Sequence, residues 1–322
     1  MQRRTFLAAS LGTMAGAVQA GAPGFHSAAA LAFGTTMRIS LFHPDPGTAS
    51  RAIDDAFAAA RMVDHQMSIY SAASEVFQLN RDGCLAHPSP QLLEVLEQAR
   101  ALSVLTRGAF DITVQPLWRV YRDAPQANGR PLQAERLKAG AKVGWQKLSF
   151  DAEMVAFLRP GMQLTLNGLA QGYAADLALA ALRAHGIADA LVDTGEFSSE
   201  GAKPGRRPWL VGVADPRQDG VLAATMRLDG RSAATSGDYA CTFTPDFVHH
   251  HIFDPHTGES PQELASVTVL APRAMLADGL STAFMVMGAR KAHALAARLH
   301  GVDVMTINKR GVAWKSPGFP SA

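Results

Sequence analysis

Asn167-Gly168-Leu169-Ala170-Gln171-Gly172-Tyr173-Ala174-Ala175-Asp176, midway along the chain, is the stretch around which the fold is organised. It follows an alternating run, Met162-Gln163-Leu164-Thr165-Leu166, that reads as a strand. It opens a helix running to about His185 and stopping at Gly186, with Leu169, Tyr173, Leu177 and Ala181 on the inward face. Strand, glycine-bearing turn and helix start together make a place where backbone N–H groups can face an anion. Two glycines in a turn are a weak signal, however. Taken alone the stretch reads as an ordinary strand-to-helix junction, and a phosphate site needs support from elsewhere in the chain.

Moving outward toward the N-terminus, residues 36–41 alternate polar with apolar as a half-buried strand does, and two prolines in residues 43–47 break it. Ile53, Phe57, Ala60, Val63 and Met67 predict an amphipathic helix over 49–67. Residues 67–80 read as irregular, and Asp82-Gly83 as a turn. A second helix is expected over 90–106, with Leu92, Leu93, Leu96, Ala99 and Leu102 along one face. Residues 122–131 read as a loop, 132–140 as a short helix, and 143–150 and 163–166 as strands. Beyond the central helix, strands are expected over 190–192, 209–213, 223–226 and 266–270. Residues 273–287 predict a well-buried helix and 290–299 another, before a hairpin of 302–307 with 312–314. Strands cluster and helices do not alternate with them regularly, which points to α+β rather than a doubly wound sheet. There is no repeat of fixed period and no proline-rich linker, so one domain is expected over residues 21–322.

The first twenty residues read as an address. Arg3-Arg4 precede an apolar run from Phe6 to Ala20 that is too short and small-sided to span a bilayer, and Val18-Gln19-Ala20 offers small residues for cleavage. A twin-arginine signal over 1–20 therefore predicts export of a folded protein to the periplasm. Residues 21–32 are small and unpatterned and read as a lead-in. Of 30 basic residues two are Arg3 and Arg4, leaving 28 against 28 acidic ones. That near-neutral balance gives no electrostatic case for nucleic acid. With 48% hydrophobic and 18% charged residues, the composition is that of a globular chain with a substantial core. Export permits a disulfide between Cys84 and Cys241, and two free buried thiols are an equal alternative.

Three clusters bear chemistry. Asp278 and Thr282 lie four apart on an apolar helix, hence on one face. A carboxylate and a hydroxyl there need partners. Two oxygens one turn apart suit Mg²⁺, while a carboxylate capping a neighbouring helix fits the same spacing. In His249-His250-His251, a strand would put His249 and His251 on one face, a metal-chelating spacing; either imidazole could alternatively act as a general base, or all three lie at the surface beside the turn at Asp254-Pro255-His256-Thr257-Gly258. Ala234-Thr235-Ser236-Gly237-Asp238-Tyr239 is small and polar, and reads as a ligand-bonding segment or a turn.

The order of these segments is more specific than any one of them. Phe33-Gly34-Thr35, Met67-Ser68-Ile69-Tyr70, residues 108–117, residues 166–176, residues 234–239, residues 251–258 and Ala277-Asp278-Gly279-Leu280-Ser281-Thr282-Ala283 follow in sequence. That series resembles the ApbE-type FAD:protein FMN transferases over nearly the whole chain. The resemblance implies a T-fold-related α+β domain that uses FAD and Mg²⁺ to move FMN onto a threonine of a partner flavoprotein, releasing AMP. It implies that Ala109, Phe110 and Asp111 line the FAD site with Phe33 and Tyr70 near the rings, and that Ile252 touches the flavin nucleotide. It further implies that Asp278, Thr282 and the carbonyl of Gly168 hold Mg²⁺, and that His251 is the general base. The acceptor is expected to be exported or membrane-associated.

Relatives of this type commonly read Asp-Leu-Gly-Gly-Ile-Ala-Lys-Gly-Tyr at the centre, where this chain has Thr165, Asn167 and Gln171. Thr165 lacks a carboxylate and Gln171 lacks a cation, yet both still hydrogen-bond, so nucleotide binding is expected with altered affinity. Glu196 likewise stands where glycine is usual. A FAD carrier without transfer activity and a FAD pyrophosphatase are the alternative functions these residues leave open.

Overall fold

The chain opens with a hairpin, β1 (Phe25–Ala32) and β2 (Thr35–Phe42), in a computed structural model that describes residues 24–124 and 130–322. The twin-arginine segment lies outside the described residues. β1 falls where a lead-in was expected; its alanines give little pattern, and eight register pairs from Phe25↔Phe42 to Ala32↔Thr35 order it instead. Helix α1 (Pro46–Met67) starts earlier than the apolar spacing indicated. Pro46 sits in its first turn, and the Asp45 carboxylate accepts from the Thr48 N–H at 2.8 Å. α2 (Glu75–Asp82) replaces an expected irregular stretch. It buries only Val76 and Leu79, too few to make a period, and is set by the Ser74 cap and by Gly83 at φ 80°.

β3 (Cys84–Ala86) leads to α3 (Pro90–Leu105), α4 (Gln115–Asp123) and α5 (Gln133–Gly140). β4 (Leu148–Phe150) and β5 (Met154–Phe157) join β3 in a small antiparallel sheet of order β3-β5-β4. Residues 162–166 alternate in burial as expected, with Met162, Leu164 and Leu166 inside, but they pair with no strand. Their backbone groups are met otherwise: Leu164 N–H donates to Asn80 Oδ1 at 2.7 Å, Asn80 Nδ2 donates to Leu164 O at 2.8 Å, and Thr165 N–H donates to Ile112 O at 2.9 Å.

The central helix is α6 (Ala170–Ala184), followed by β6 (Asp189–Asp193), β7 (Phe197–Glu200), β8 (Trp209–Ala214), β9 (Leu222–Leu228), β10 (Ser232–Gly237) and β11 (Leu264–Ala271). α7 (Ala274–Met287), α8 (Ala289–Ala296), β12 (Asp303–Asn308) and β13 (Ala313–Lys315) complete the chain. The main sheet has eight strands in the order β1-β2-β6-β7-β10-β11-β12-β13, antiparallel throughout. The architecture is thus a mixed one of packed helices and sheets. Inner residues such as Ile39, Val192, Ala234 and Val267 face the helices, and Ala233, Leu270 and Met305 face the β8–β9 hairpin. Covered on both sides, β11 buries all eight of its residues.

The layer of helices turns on one close crossing. A Cβ added at Gly172 of α6 would lie 2.5 Å from the Ala274 carbonyl oxygen and 2.8 Å from Met275 Cα, so the two backbones approach as only glycine allows. The contacts step along the helices in antiparallel register, four residues at a time. Gly168 meets Thr282, the Gly172 N–H donates to Asp278 Oδ2 at 3.2 Å, and Asp176 accepts from the Ala274 and Met275 N–H groups at 2.7 and 3.1 Å. Asp176 therefore supplies the cap that Arg273, at the N-cap position of α7, does not. Ala174 and Ala178, more than the half-buried Leu177 and Ala181, form the inward face of α6.

Gly172→Ala should lower stability by about 1–3 kcal/mol, because the atoms met by the new methyl are backbone and cannot rotate away. Urea unfolding measures this, and a midpoint equal to wild type would show that the crossing relaxes freely.

Candidate active site

The crossing of α6 and α7 gathers one group of predicted residues. Asp278 is 4% exposed, and Gly168 lies so near Thr282 that an added Cβ would stand 3.0 Å from its Oγ1 and 3.5 Å from the Phe110 ring. Ser236 of β10 closes the group, its hydroxyl bonded to Thr282 Oγ1 at 3.1 Å and to Ser281 Oγ at 2.7 Å. Burial pushes the Asp278 carboxyl up to about 7, with Asp176 adding to the rise and the Gly172 N–H opposing it. The capping alternative for Asp278 holds as well: its Oδ2 takes the N–H of Gly172 in the first turn of α6, as Asp176 takes two of α7.

The His run is not a strand. Only an isolated bridge, Thr242↔His250, forms there, so His249 and His251 do not share a strand face. Among the described residues no group of three or more His, Cys, Asp or Glu is placed to hold a metal. The His249 ring instead packs 5.7 Å from the Tyr121 ring. His250 is fully buried; its Nε2 faces the Pro261 carbonyl at 3.1 Å and its N–H donates to Ser260 Oγ. His251 is half-buried, with Nδ1 3.1 Å from the Cys241 carbonyl. A carbonyl accepts only, so Nδ1 carries the proton and Nε2 keeps a lone pair. Burial pushes this imidazole below its ordinary value, against the pull of the Cys241 carbonyl and the Asp238 charge, and holds it neutral.

The segment from Ser236 to Cys241 connects the two groups. Its middle is pinned by Asp238, wholly buried, which takes both guanidinium nitrogens of Arg217 at 2.8 and 2.7 Å and has Lys309 Nζ at 3.7 Å. The sequence-based choice between ligand segment and turn at 234–239 therefore resolves into a strand, β10, followed by an anchored bend. Asp238 and Ser236 were not singled out as individual residues; their roles depend on partners 21 and 46 positions away.

The other predicted residues are placed as follows. Asp111 is buried and spends its oxygens on the protein, Oδ1 on the Thr113 N–H and hydroxyl and Oδ2 on the Trp145 N–H, so it ties residues 111–113 to residue 145. Phe110 is buried, Ala109 half-buried, and Ile252 buried in the main core. Phe33, at φ 54°, forms the β1–β2 turn, and its N–H donates to Asp64. Tyr70 is 67% exposed and lines a groove with Phe77, Trp118, Arg119 and Gln163. Thr165 Oγ1 accepts from the Asn167 N–H, and the Gln171 side-chain amide donates to the Thr194 carbonyl at 2.8 Å, bracing the β6–β7 turn. Cys84 and Cys241 are both free, Cys84 exposed rather than buried.

Residues 33–306 match the model of the ApbE family. It is 32% identical over 301 residues to the FAD:protein FMN transferase of Salmonella typhimurium, across 89% of this chain and 86% of the relative. It is 33% identical over 262 residues to that of Vibrio cholerae, across 79% and 78%. The crystal structure of the ApbE protein from Thermotoga maritima superposes with a TM-score of 0.80 at 28% identity, over 91% of this chain and 97% of that one. The flavin transferase ApbE from Vibrio cholerae superposes with 0.78 at 28%, over 92% and 98%. The chain belongs to the ApbE family, a family of transferases.

Burial pushes the His250 imidazole down to about 3. The unfolded chain, titrating near 6.5, takes a proton that the folded one refuses, so stability is full above about pH 6.5 and falls as pH drops toward 3. Over that window the loss from this residue is on the order of 4 kcal/mol. Urea unfolding at pH 7 and pH 4.5 should show His250→Gln losing less on acidification than wild type; an equal loss would contradict the assignment.

Proposed function

We propose that the protein transfers FMN from FAD to a threonine of a partner flavoprotein, releasing AMP, with Mg²⁺ as cofactor. The observation that carries this reading is the convergence of Gly168, Asp278 and Thr282, distant in sequence, at the α6–α7 crossing. The donor set fits a hard cation: a buried carboxylate with one hydrogen bond from the protein, a hydroxyl, and a glycine whose missing side chain lets its backbone lie close to that hydroxyl. When bound there, Mg²⁺ would neutralise the pyrophosphate charge. Asp278 and Thr282 would hold it, with the Gly168 carbonyl.

The chain's own part in the reaction is proton transfer and alignment. His251, neutral and with Nδ1–H engaged by the Cys241 carbonyl, has Nε2 available for the proton of the acceptor threonine. As that oxygen forms its bond to the FMN phosphorus, the bond from phosphorus to the bridging oxygen breaks and AMP leaves with the electron pair. The Asp238–Arg217–Lys309 knot keeps the carbonyl under the imidazole, an alignment that transfer at phosphorus requires. Phe110, beside Gly168, and Ala109, with Phe33, Tyr70 and Ile252, are proposed as the flavin-nucleotide surroundings, Asp111 fixing their backbone. Thr165 and Gln171 are proposed to shape that end of the site.

The fold is proposed as related to the T-fold, the chain as one catalytic domain over 21–322 behind a cleaved twin-arginine signal, and the place of action as the periplasm, on an exported or membrane-associated acceptor. No described helix is long and apolar enough to cross a membrane.

Incubation with FAD, Mg²⁺ and an acceptor flavoprotein should leave flavin fluorescence on the acceptor band after denaturing electrophoresis. Free FMN and AMP without a labelled band would mean hydrolysis, and unchanged FAD would mean a carrier. Asp278→Ala should abolish metal-dependent transfer. His251→Ala should retain FAD binding and lose about 10²–10⁴-fold in transfer rate, the usual worth of a general base; loss of FAD binding would make His251 a nucleotide contact.

A further inference from the structure

Glu196 is a buried carboxylate that the reaction above does not use. It lies between β6 and β7, 8% exposed, and its Oε2 accepts the Thr235 N–H at 3.2 Å. The next residue, Ser236, is bonded to Thr282. The dipeptide Thr235-Ser236 therefore touches Glu196 through one residue and the cation-binding hydroxyl through the other. We propose that Glu196 is a second carboxylate for the divalent cation held by Asp278 and Thr282, an inference that rests on the cation assignment above.

Glu196 and Asp278 are both buried carboxylates, linked through Thr235-Ser236 and Thr282. The charge acting most on Glu196 is that of Asp278, followed by Asp193, and burial with Asp278 pushes its carboxyl well above the usual range. No Lys, Arg or His among the described residues counters either group. Gln171, the neighbouring side chain that would carry a charge if it were lysine, gives its amide to the Thr194 carbonyl instead. Each carboxylate accepts a single backbone hydrogen bond at one oxygen, and among the described residues the second oxygen of each accepts none. An uncompensated buried charge costs several kcal/mol, and chains meet that cost by a partner, a metal or a proton. A divalent ion uses both free oxygens at once, and hard oxygen donors are those Mg²⁺ selects. A shared proton is the competing solution, and Glu196→Gln imitates it while removing the ligand.

The test is Mn²⁺ titration of the purified chain, followed by loss of the free-ion electron paramagnetic resonance signal, on wild type, Glu196→Gln, Glu196→Ala and Asp278→Asn. Both Glu196 variants should bind Mn²⁺ weaker by about tenfold or more. Their melting temperatures should rise less than wild type's on adding Mn²⁺, as mass action requires, and in EDTA should equal or exceed it. Wild-type Mn²⁺ affinity in both Glu196 variants overturns the inference, as does a lower melting temperature in EDTA for both, which marks a structural acid. If Asp278→Asn binds weakly while the Glu196 variants do not, the inference falls and the cation assignment stands. Unchanged affinity in all variants, or no binding by wild type, removes both.

Discussion

Two helices cross at a glycine, and the rest of the site depends on how closely they do so. At Gly172 the α6 backbone lies against Ala274 and Met275 of α7 with no space for a methyl. The approach brings the first two turns of α6 and the turn before it against α7: Asp176 caps α7, Gly172 donates to Asp278, and Gly168 borders Thr282. Separating the helices by the thickness of a side chain would uncap α7, remove the single hydrogen bond on Asp278 and part the hydroxyl from the glycine. Stability and site geometry are thus set by one contact. The cap also gives the negative Asp176 a favourable place at a helix N-terminus, despite its burial.

The sheet fixes the remaining half. β11 is buried on both faces and cannot shift without disturbing two cores, and β10 is registered to it through Thr235↔Thr268, whose hydroxyls bond at 2.9 Å. That register sets where Ser236 meets Thr282 and where the chain bends at Asp238 toward Cys241. Three consecutive histidines then receive three environments. His249 packs on an aromatic ring, His250 is a fully buried pin with Nε2 on the Pro261 carbonyl, and His251, half-buried with Nδ1 on the Cys241 carbonyl, is the one proposed as base. Adjacent residues point in different directions, so identical side chains in sequence do not share a role.

Elements with a strong period were legible in the sequence: α3, α6, α7 and the β12–β13 hairpin are within a residue or so of where apolar spacing put them, and α1 begins three residues earlier, at Pro46. β1 and β10 were not, because alanine, serine and threonine carry no hydrophobic contrast and their order comes from neighbouring strands. α2 is set by its caps, α4 has Pro116 in its first turn and no side-chain cap, and each buries only a few residues, below what a period can reveal. Residues 162–166 had the right alternation and no partner strand, since alternation reports burial and says nothing about where the backbone bonds go. At the site, the four-residue spacing of Asp278 and Thr282 was visible, and it fitted a cation and a helix cap alike. What the spacing lacked was the complementary spacing of Gly168, Gly172 and Asp176, which acquires meaning only once the two helices are known to run antiparallel in contact. Asp238 and Ser236 stayed hidden for the same reason, as each is defined by a distant partner.

The charge pattern gives the proposed reaction its physical shape. In the proposed reaction a diphosphate brought beside Asp278 and Glu196 meets two buried carboxyl groups whose ionisation adds negative charge, and among the described residues no side-chain cation answers it: burial lowers the His251 imidazole, Gln171 is uncharged, and Arg217 and Lys309 are committed to Asp238. Two anions in a poorly solvated place repel by far more than they would in water. An added cation turns that repulsion into attraction for both, so substrate and metal would bind with strong mutual dependence. A chain with lysine in place of Gln171 would hold a permanent positive charge and need the metal less for binding. By this reasoning the neutral Gln171 and the acidic Glu196 belong together, one removing a fixed charge and the other raising the demand for an exchangeable one.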